Sequence, residues 1–232
     1  MKKGGTSRRL TRDEAAAETR ELLLASAREV FVERGYHAAS IYEVAERAGR
    51  TIGALYSHFG GKEGVFLALA DRHFAEQLER YSGELSGMDN ETDALTVGGM
   101  LWSRFLDQEP ELVVLFIEFW SYAMRDPDLR PRFADSLRQL RAALAKLVED
   151  QQRGSGVAMA ASPTETAIIL DALIDGFALH KLVDPEQVAD SLLPRALGWL
   201  VRGMVADGGS ASRKAKRADR RAARPAGESE DR

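Results

Sequence analysis

A chain of 232 residues with 44% apolar content and a formal net charge of −4 carries enough apolar material for a buried core and reads as an ordinary globular protein. It has no cysteine, which excludes disulfides, thiolate metal sites and a cysteine nucleophile. No run of about 18 uncharged apolar residues offers a membrane span, and the segment "MKKGGTSRRLTRDE" lacks the apolar stretch of a secretory signal, so the expected location is cytoplasmic.

The charge is unevenly placed. Residues 1–62 hold 11 Lys/Arg against 8 Asp/Glu, residues 63–212 hold 13 against 24, and residues 213–232 hold 8 against 4. Basic ends around an acidic middle suit contact with a polyanion at the ends, or simply solvated tails.

In chain order, nearly every signal is helical. Thr11 with Glu14 forms a capping box, after which Leu23, Ala27, Val30 and Phe31 share one face until Gly35, where a stop is expected. Ser40 with Glu43 reads as a second box opening a helix whose Ile41, Val44, Ala45 and Ala48 follow the i, i+3, i+4, i+7 pattern; Gly49 ends it. A third short helix runs from about 51 to 59, and a longer one from 62 to about 85. Beyond the polar break "SGMDNETD", helices are expected over about 92–107, 110–125 and 127–152, with Pro110 and Pro127 suited to first turns. "GSGVAMAAS" reads as a linker. Ser162 with Glu165 opens a helix over about 163–183, and Asp184-Pro185-Glu186-Gln187 is expected to open the last, over about 186–205. The Ala/Arg/Lys-rich tail that follows has no apolar periodicity. The fold class is all-α, with about nine helices.

Two short helices joined by a glycine turn and held by a longer first helix form a helix-turn-helix. Ile41, Val44, Ala45, Leu55 and Phe59 supply a small core shared with Val30 and Phe31. Gly53 and Ala54 permit close approach to a groove wall. Ser40 and Thr51 stand at helix N-termini suited to phosphate oxygens, and Tyr56, His58 and Lys62 project donors at duplex spacing. Each of these residues also has an ordinary structural role open to it, as a cap, a half-buried aromatic or a surface cation.

The segment "SIYEVAERAGRTIGALYSHFGGKEGVF" resembles the DNA-binding region of the tetracycline-repressor (TetR) family, with Ala48-Gly49 as the turn, Gly53-Ala54-Leu55-Tyr56-Ser57-His58-Phe59 as the recognition helix and Lys62-Glu63 opening the fourth helix. The likeness covers about Thr19 to Leu69. It departs at Arg50, where a small apolar residue is usual, and at Gly60-Gly61. Arg50 is open to a phosphate or guanine contact, or to water. The resemblance implies double-stranded DNA as partner, with phosphate contact by Ser40, Thr51, Tyr56, His58 and Lys62 and base reading from the recognition helix; with Ile52, Gly53 and Ser57 of that helix and the departing Arg50, the expected contact set has nine residues. It further implies a homodimer released from a pseudo-palindromic operator by a small hydrophobic effector, more often as a repressor. The expected organisation is a basic arm over 1–17, the DNA-binding domain over 18–65, an effector and dimerisation domain over 66–206, and a basic tail over 207–232.

In that second domain Trp102, Phe105, Phe116, Phe119, Trp120, Tyr122 and Phe177, with Met124 and Phe133, either line an effector cavity or form core. Glu118, inside an apolar helix, either pairs with Arg104, Arg125 or Arg132 or orients a ligand. Helix 163–183 is apolar round most of its surface and requires a second covering partner. The expected interface is Ile169, Ala172, Leu173, Gly176, His180, Leu193, Leu197 and Leu200, closed by symmetry into a four-helix contact. An enzyme is the competing reading. The phosphate-loop motif fails because Tyr56 and Glu63 stand where it needs Gly and Ser/Thr, the four histidines lack metal spacing, and Gly154-Ser155-Gly156 is no nucleophile elbow. No cofactor or metal is expected. A helical small-molecule carrier without a DNA role is the other alternative.

Overall fold

The computed structural model describes residues 11–85, 91–155 and 159–205. The breaks at 86–90 and 156–158, most of the expected basic arm and all of the expected basic tail lie outside them. The described residues form nine helices and no strand: α1 (Arg12–Ala38), α2 (Ile41–Arg47), α3 (Ile52–Phe59), α4 (Lys62–Leu85), α5 (Glu91–Gln108), α6 (Pro110–Arg125), α7 (Leu129–Ser155), α8 (Pro163–Val183) and α9 (192–205). None of the described helices is long and apolar enough to cross a membrane. They gather into two compact units, one of residues 11–77 with 109–138, the other of 78–108 with 139–205.

The first unit is built on α1. Thr11 Oγ1 accepts from the Glu14 N–H at 3.2 Å while Glu14 Oε2 accepts from the Thr11 N–H at 2.8 Å, so the expected capping box closes the N-terminus. Leu23, Leu24, Ala27, Val30 and Phe31 are buried along one face. Gly35 interrupts this helix where the stop is expected, and one more helical turn follows it. It takes φ 73°, ψ 167°, and the chain resumes helical geometry to Ala38. The kink strips the Tyr36 N–H of its helical acceptor, and Glu118 of α6 replaces it, with Oε2 at 2.7 Å. The space is small as well, since a Cβ on Gly35 would meet Glu118 Oε2 at 3.0 Å. Glu118 therefore bonds to none of Arg104, Arg125 and Arg132 among the described residues. Its partner is backbone.

Around that junction the aromatics interlock. Phe66 stacks on Phe119 at 4.0 Å between centroids, Tyr36 meets Phe119 edge-on at 5.0 Å, and Phe133 meets Phe119 edge-on at 5.3 Å. Tyr122 lies 5.3 Å from Tyr36, and Trp120 lies 5.3 Å from Phe133. Phe119 is thus packed into the core of the first unit, Trp120 and Tyr122 lie half-buried against Phe133 and Tyr36, and Phe116 borders a narrow cleft of about 70 Å³. The Tyr36 hydroxyl is buried without a hydrogen-bond partner among the described residues, and burial raises its pKa.

The second unit packs Trp102 of α5, Leu144 and Val148 of α7, Leu173, Ile174 and Phe177 of α8 and Leu200 of α9 around Leu170, Leu193 and Leu197. Ser162 and Glu165 close the expected box on α8, with bonds of 2.9 and 3.2 Å. Asp184 Oδ1 accepts from the Gln187 N–H at 3.3 Å, but this holds only a turn, and α9 begins at 192. Pro194 explains the later start. It lacks an N–H and clashes with a preceding helical turn, so it must lie within the first turn of its helix.

Candidate nucleic-acid interface

α1, α2 and α3 pack on one another as a three-helix cluster. Val44 and Ala45 of α2 and Leu55 of α3 are buried with the α1 face, which fixes which side of each short helix points outward. Between α2 and α3 the backbone closes on itself: the Gly49 N–H donates to Glu46 O at 3.0 Å and the Arg50 N–H to Ala45 O at 2.9 Å. Thr51 then caps α3, its Oγ1 accepting from the Ala54 N–H at 3.1 Å. At the far end of α3 the chain enters α4 so tightly that a Cβ on Gly64 would overlap the Phe59 carbonyl. Gly60-Gly61, an unusual pair at this place, makes the turn with φ 78° and 146°.

The outward face of α3 carries Thr51, Gly53, Tyr56 and Ser57, with Tyr56 50% exposed. Ile52 and His58 flank it half-buried. Ser40 caps α2 by accepting from the Tyr42 N–H at 3.2 Å, but Glu43 does not return the bond. Glu43 bonds instead to Arg47 at 3.2 Å and Arg34 at 3.4 Å.

Besides the capping Ser40 and Thr51, both cations of the nine expected contact residues are engaged inside the unit. Lys62 Nζ donates to the His37 carbonyl at 2.9 Å and lies 4.7 Å above the Tyr36 ring, and burial lowers its pKa. It ties α4 to the last turn of α1. Arg50 turns back on α1, its Nε donating to Thr19 Oγ1 at 3.2 Å and its Nη1 to the Gly49 carbonyl at 3.2 Å. The departure at this position thus has a structural use, cross-bracing the turn against α1. Arg47 is held by a bidentate pair with Glu33 at 2.7 and 2.9 Å and by Glu29 and Glu43, so its charge is already matched.

One residue absent from the expected set stands beside it. Tyr42, in the first turn of α2, is 67% exposed. The signal was in the sequence, because the inward pattern Ile41, Val44, Ala45, Ala48 turns position 42 away from the core.

An exposed helix of small and hydroxyl-bearing residues, set on a sealed three-helix core and accompanied by a second helical unit, defines a helix-turn-helix protein. Residues 23–69 match the family described as bacterial regulatory proteins, tetR family, and residues 102–206 match the C-terminal domain of BetI-type transcriptional repressors. The chain belongs to the TetR family of helix-turn-helix transcriptional regulators.

Among its relatives, the transcriptional activator FasR of Mycolicibacterium smegmatis is 49% identical over 72 residues, which cover 30% of this chain and 31% of FasR. The regulator BetI of Vibrio parahaemolyticus is 27% identical over 158 residues, covering 66% of this chain and 75% of BetI. The chain spans about a third of the length of the curated relatives it matches first. Among solved structures, a TetR-family regulator from Rhodococcus sp. superposes with a TM-score of 0.66 at 21% identity, covering 82% of this chain and 99% of that one. FadR of Bacillus subtilis, in complex with stearoyl-CoA, superposes with a TM-score of 0.61 at 17% identity over 78% and 96%.

Proposed function

We propose that this regulator binds a pseudo-palindromic operator as a homodimer and is released from it by a small hydrophobic effector, acting as a repressor. The observation that carries the DNA half of this reading is the outward face of α3. Thr51, Gly53, Tyr56 and Ser57 lie together there over the buried Leu55, small enough or polar enough to meet phosphate and base edges. Ser40 and Tyr42 extend that face onto the first turn of α2, while Lys62 and Arg50 act by bracing the helices that carry it. Two copies would place paired α3 helices about one duplex turn, roughly 34–36 Å, apart.

The dimer reading rests on α8. Ile168, Ile169, Leu179 and Val183 are exposed, with Val183 at 86%, and Ala172 and Gly176 lie among them on the same side. No Cβ on Gly176 would meet anything within 4 Å, so a partner helix can approach there. Leu193 and Leu197, 3% and 2% exposed, leave the expected interface because they are committed to the core of their own unit, and Leu173 and Leu200 pack against them. Ile169, Ala172, Gly176 and His180 stay, joined by Ile168, Leu179 and Val183. Of the expected effector residues, Trp102 and Phe177 stand with the second unit's apolar cluster and are the better candidates. BetI relatives and the stearoyl-CoA complex of FadR support a ligand-responsive regulator on this fold. Ligand must favour one dimer geometry over another to act, since equal affinity shifts nothing.

An operator selected from random duplex DNA tests this directly. Tyr56→Ala should bind it at least about tenfold more weakly by gel shift while sedimenting as the same dimer. Normal binding by that variant would refute the assignment of α3 as the reading helix.

A further inference from the structure

The second unit carries a groove unrelated to the DNA-reading face. Its volume is about 530 Å³, and it runs between α5 and α9. Its floor is set by a backbone approach so close that a Cβ on Gly99 would lie 2.9 Å from Pro194 Cα. Its end is clamped by Lys181 of α8, which bonds to Asp190 and lies 3.8 Å from Asp107, while Ser103 Oγ donates to the Asp190 carbonyl at 3.3 Å. The groove is therefore preformed, and the two acidic residues that border it are already answered by one lysine.

Its remaining charge is positive and unanswered. Arg104, Arg195 and Arg202 line it, and none of them has an ion pair among the described residues. Residues 78–108 and 139–205 hold 14 acidic and 8 basic side chains, yet four of those 8, these arginines and Lys181, gather at this one place. Between the arginines lies an apolar platform of Met100 and Trp199, with Trp199 53% exposed and the Arg195 guanidinium 5.1 Å above its ring. A guanidinium offers paired N–H donors to oxyanions, and an exposed indole offers a flat face.

We propose that this groove binds a small organic anion, a carboxylate, sulfonate or phosphate attached to a flat or aliphatic apolar body. The charged end is held by Arg104 and Arg202, and the body lies on Trp199 and Met100. This site goes beyond the operator-binding reading and does not depend on it.

A charge-matched pair of fluorescent probes, anionic anilinonaphthalene sulfonate and neutral N-phenylnaphthylamine, tests the proposal on the full chain. The anionic probe should bind with an affinity that falls with salt and quench Trp199. R104Q/R202Q should weaken it roughly tenfold or more and leave the neutral probe unchanged. Asp107→Asn, which removes an acidic neighbour, should tighten it about threefold. Unchanged affinity in R104Q/R202Q, or an equal loss for both probes, overturns the proposal. If R104Q/R202Q melts early, a failure of Asp107→Asn to tighten the anionic probe overturns it alone. Binding that weakens as protein concentration rises into self-association also overturns it, because a second copy then fills the groove.

Discussion

Asp175 should make the stability of this protein fall as pH rises from about 4 to about 7. It sits on α8 one turn beyond Asp171, whose carboxylate is buried and paired with Arg141 at 2.7 Å. One arginine serves two carboxyls, so burial and then the like charge of Asp171 push Asp175 from 3.8 up to about 7, against the opposing pull of Arg141. Below pH of about 4 both folded and unfolded chains hold this proton, and the group contributes nothing. As pH rises the unfolded chain releases it first, so stability drops until the folded carboxyl ionises near pH 7. At about 1.4 kcal/mol per pH unit, the loss between pH 5 and pH 8 comes to roughly 2–3 kcal/mol. Asp175→Asn removes the titration and keeps the size of the side chain. Urea unfolding at both pH values should show the wild type losing roughly 2–3 kcal/mol more than the variant over that interval. The variant should also be the more stable protein at pH 8. Equal losses in the two proteins would refute the reasoning, whatever their absolute stabilities.

The junction of α1 with α6 yields further predictions. Glu118→Ala strands the Tyr36 N–H and should cost about 1–3 kcal/mol in urea unfolding, whereas an Arg125→Ala or Arg132→Ala change should not reproduce it. Phe119→Ala empties the centre of the aromatic cluster and should cost about 3–5 kcal/mol, with Phe119→Leu costing less. Gly64→Ala drives a methyl into the Phe59 carbonyl; a loss of at least about 2 kcal/mol is expected in the melting transition, together with weakened operator binding as α3 shifts. Lys62→Met should weaken operator binding with little change in its salt dependence, because the lysine braces backbone and ring; a salt slope lowered by about one unit would instead show a phosphate contact.

Much of the fold was legible because helices announce themselves locally. Thr11 with Glu14 and Ser162 with Glu165 close as boxes where the sequence puts them, and the inward stripe of α2 turns Tyr42 outward. What escaped depends on residues far apart in the chain. Gly35 carries the same signature whether a helix ends or kinks, and the difference is made by Glu118, 83 positions on. Ser40 and Glu43 match a capping box in spelling, yet Arg34 and Arg47 draw the glutamate away. On α8, apolar residues all round leave periodicity with no face to choose, so nothing local separates Leu173, which packs on Leu170, Leu193 and Leu197, from the outward Ile169.

The carboxylate of Glu118 also sets where this protein can be divided. α1, α2 and α3 look like a portable module, but the last turn of α1 borrows an acceptor from α6, and Phe66 of α4 has its stacking partner there too. A fragment cut at residue 77 would carry a bare amide and an uncovered aromatic face into solvent. Grafting this reading head onto a foreign sensor therefore means moving 109–138 with it, so the piece that can be exchanged is discontinuous in the gene although continuous in space.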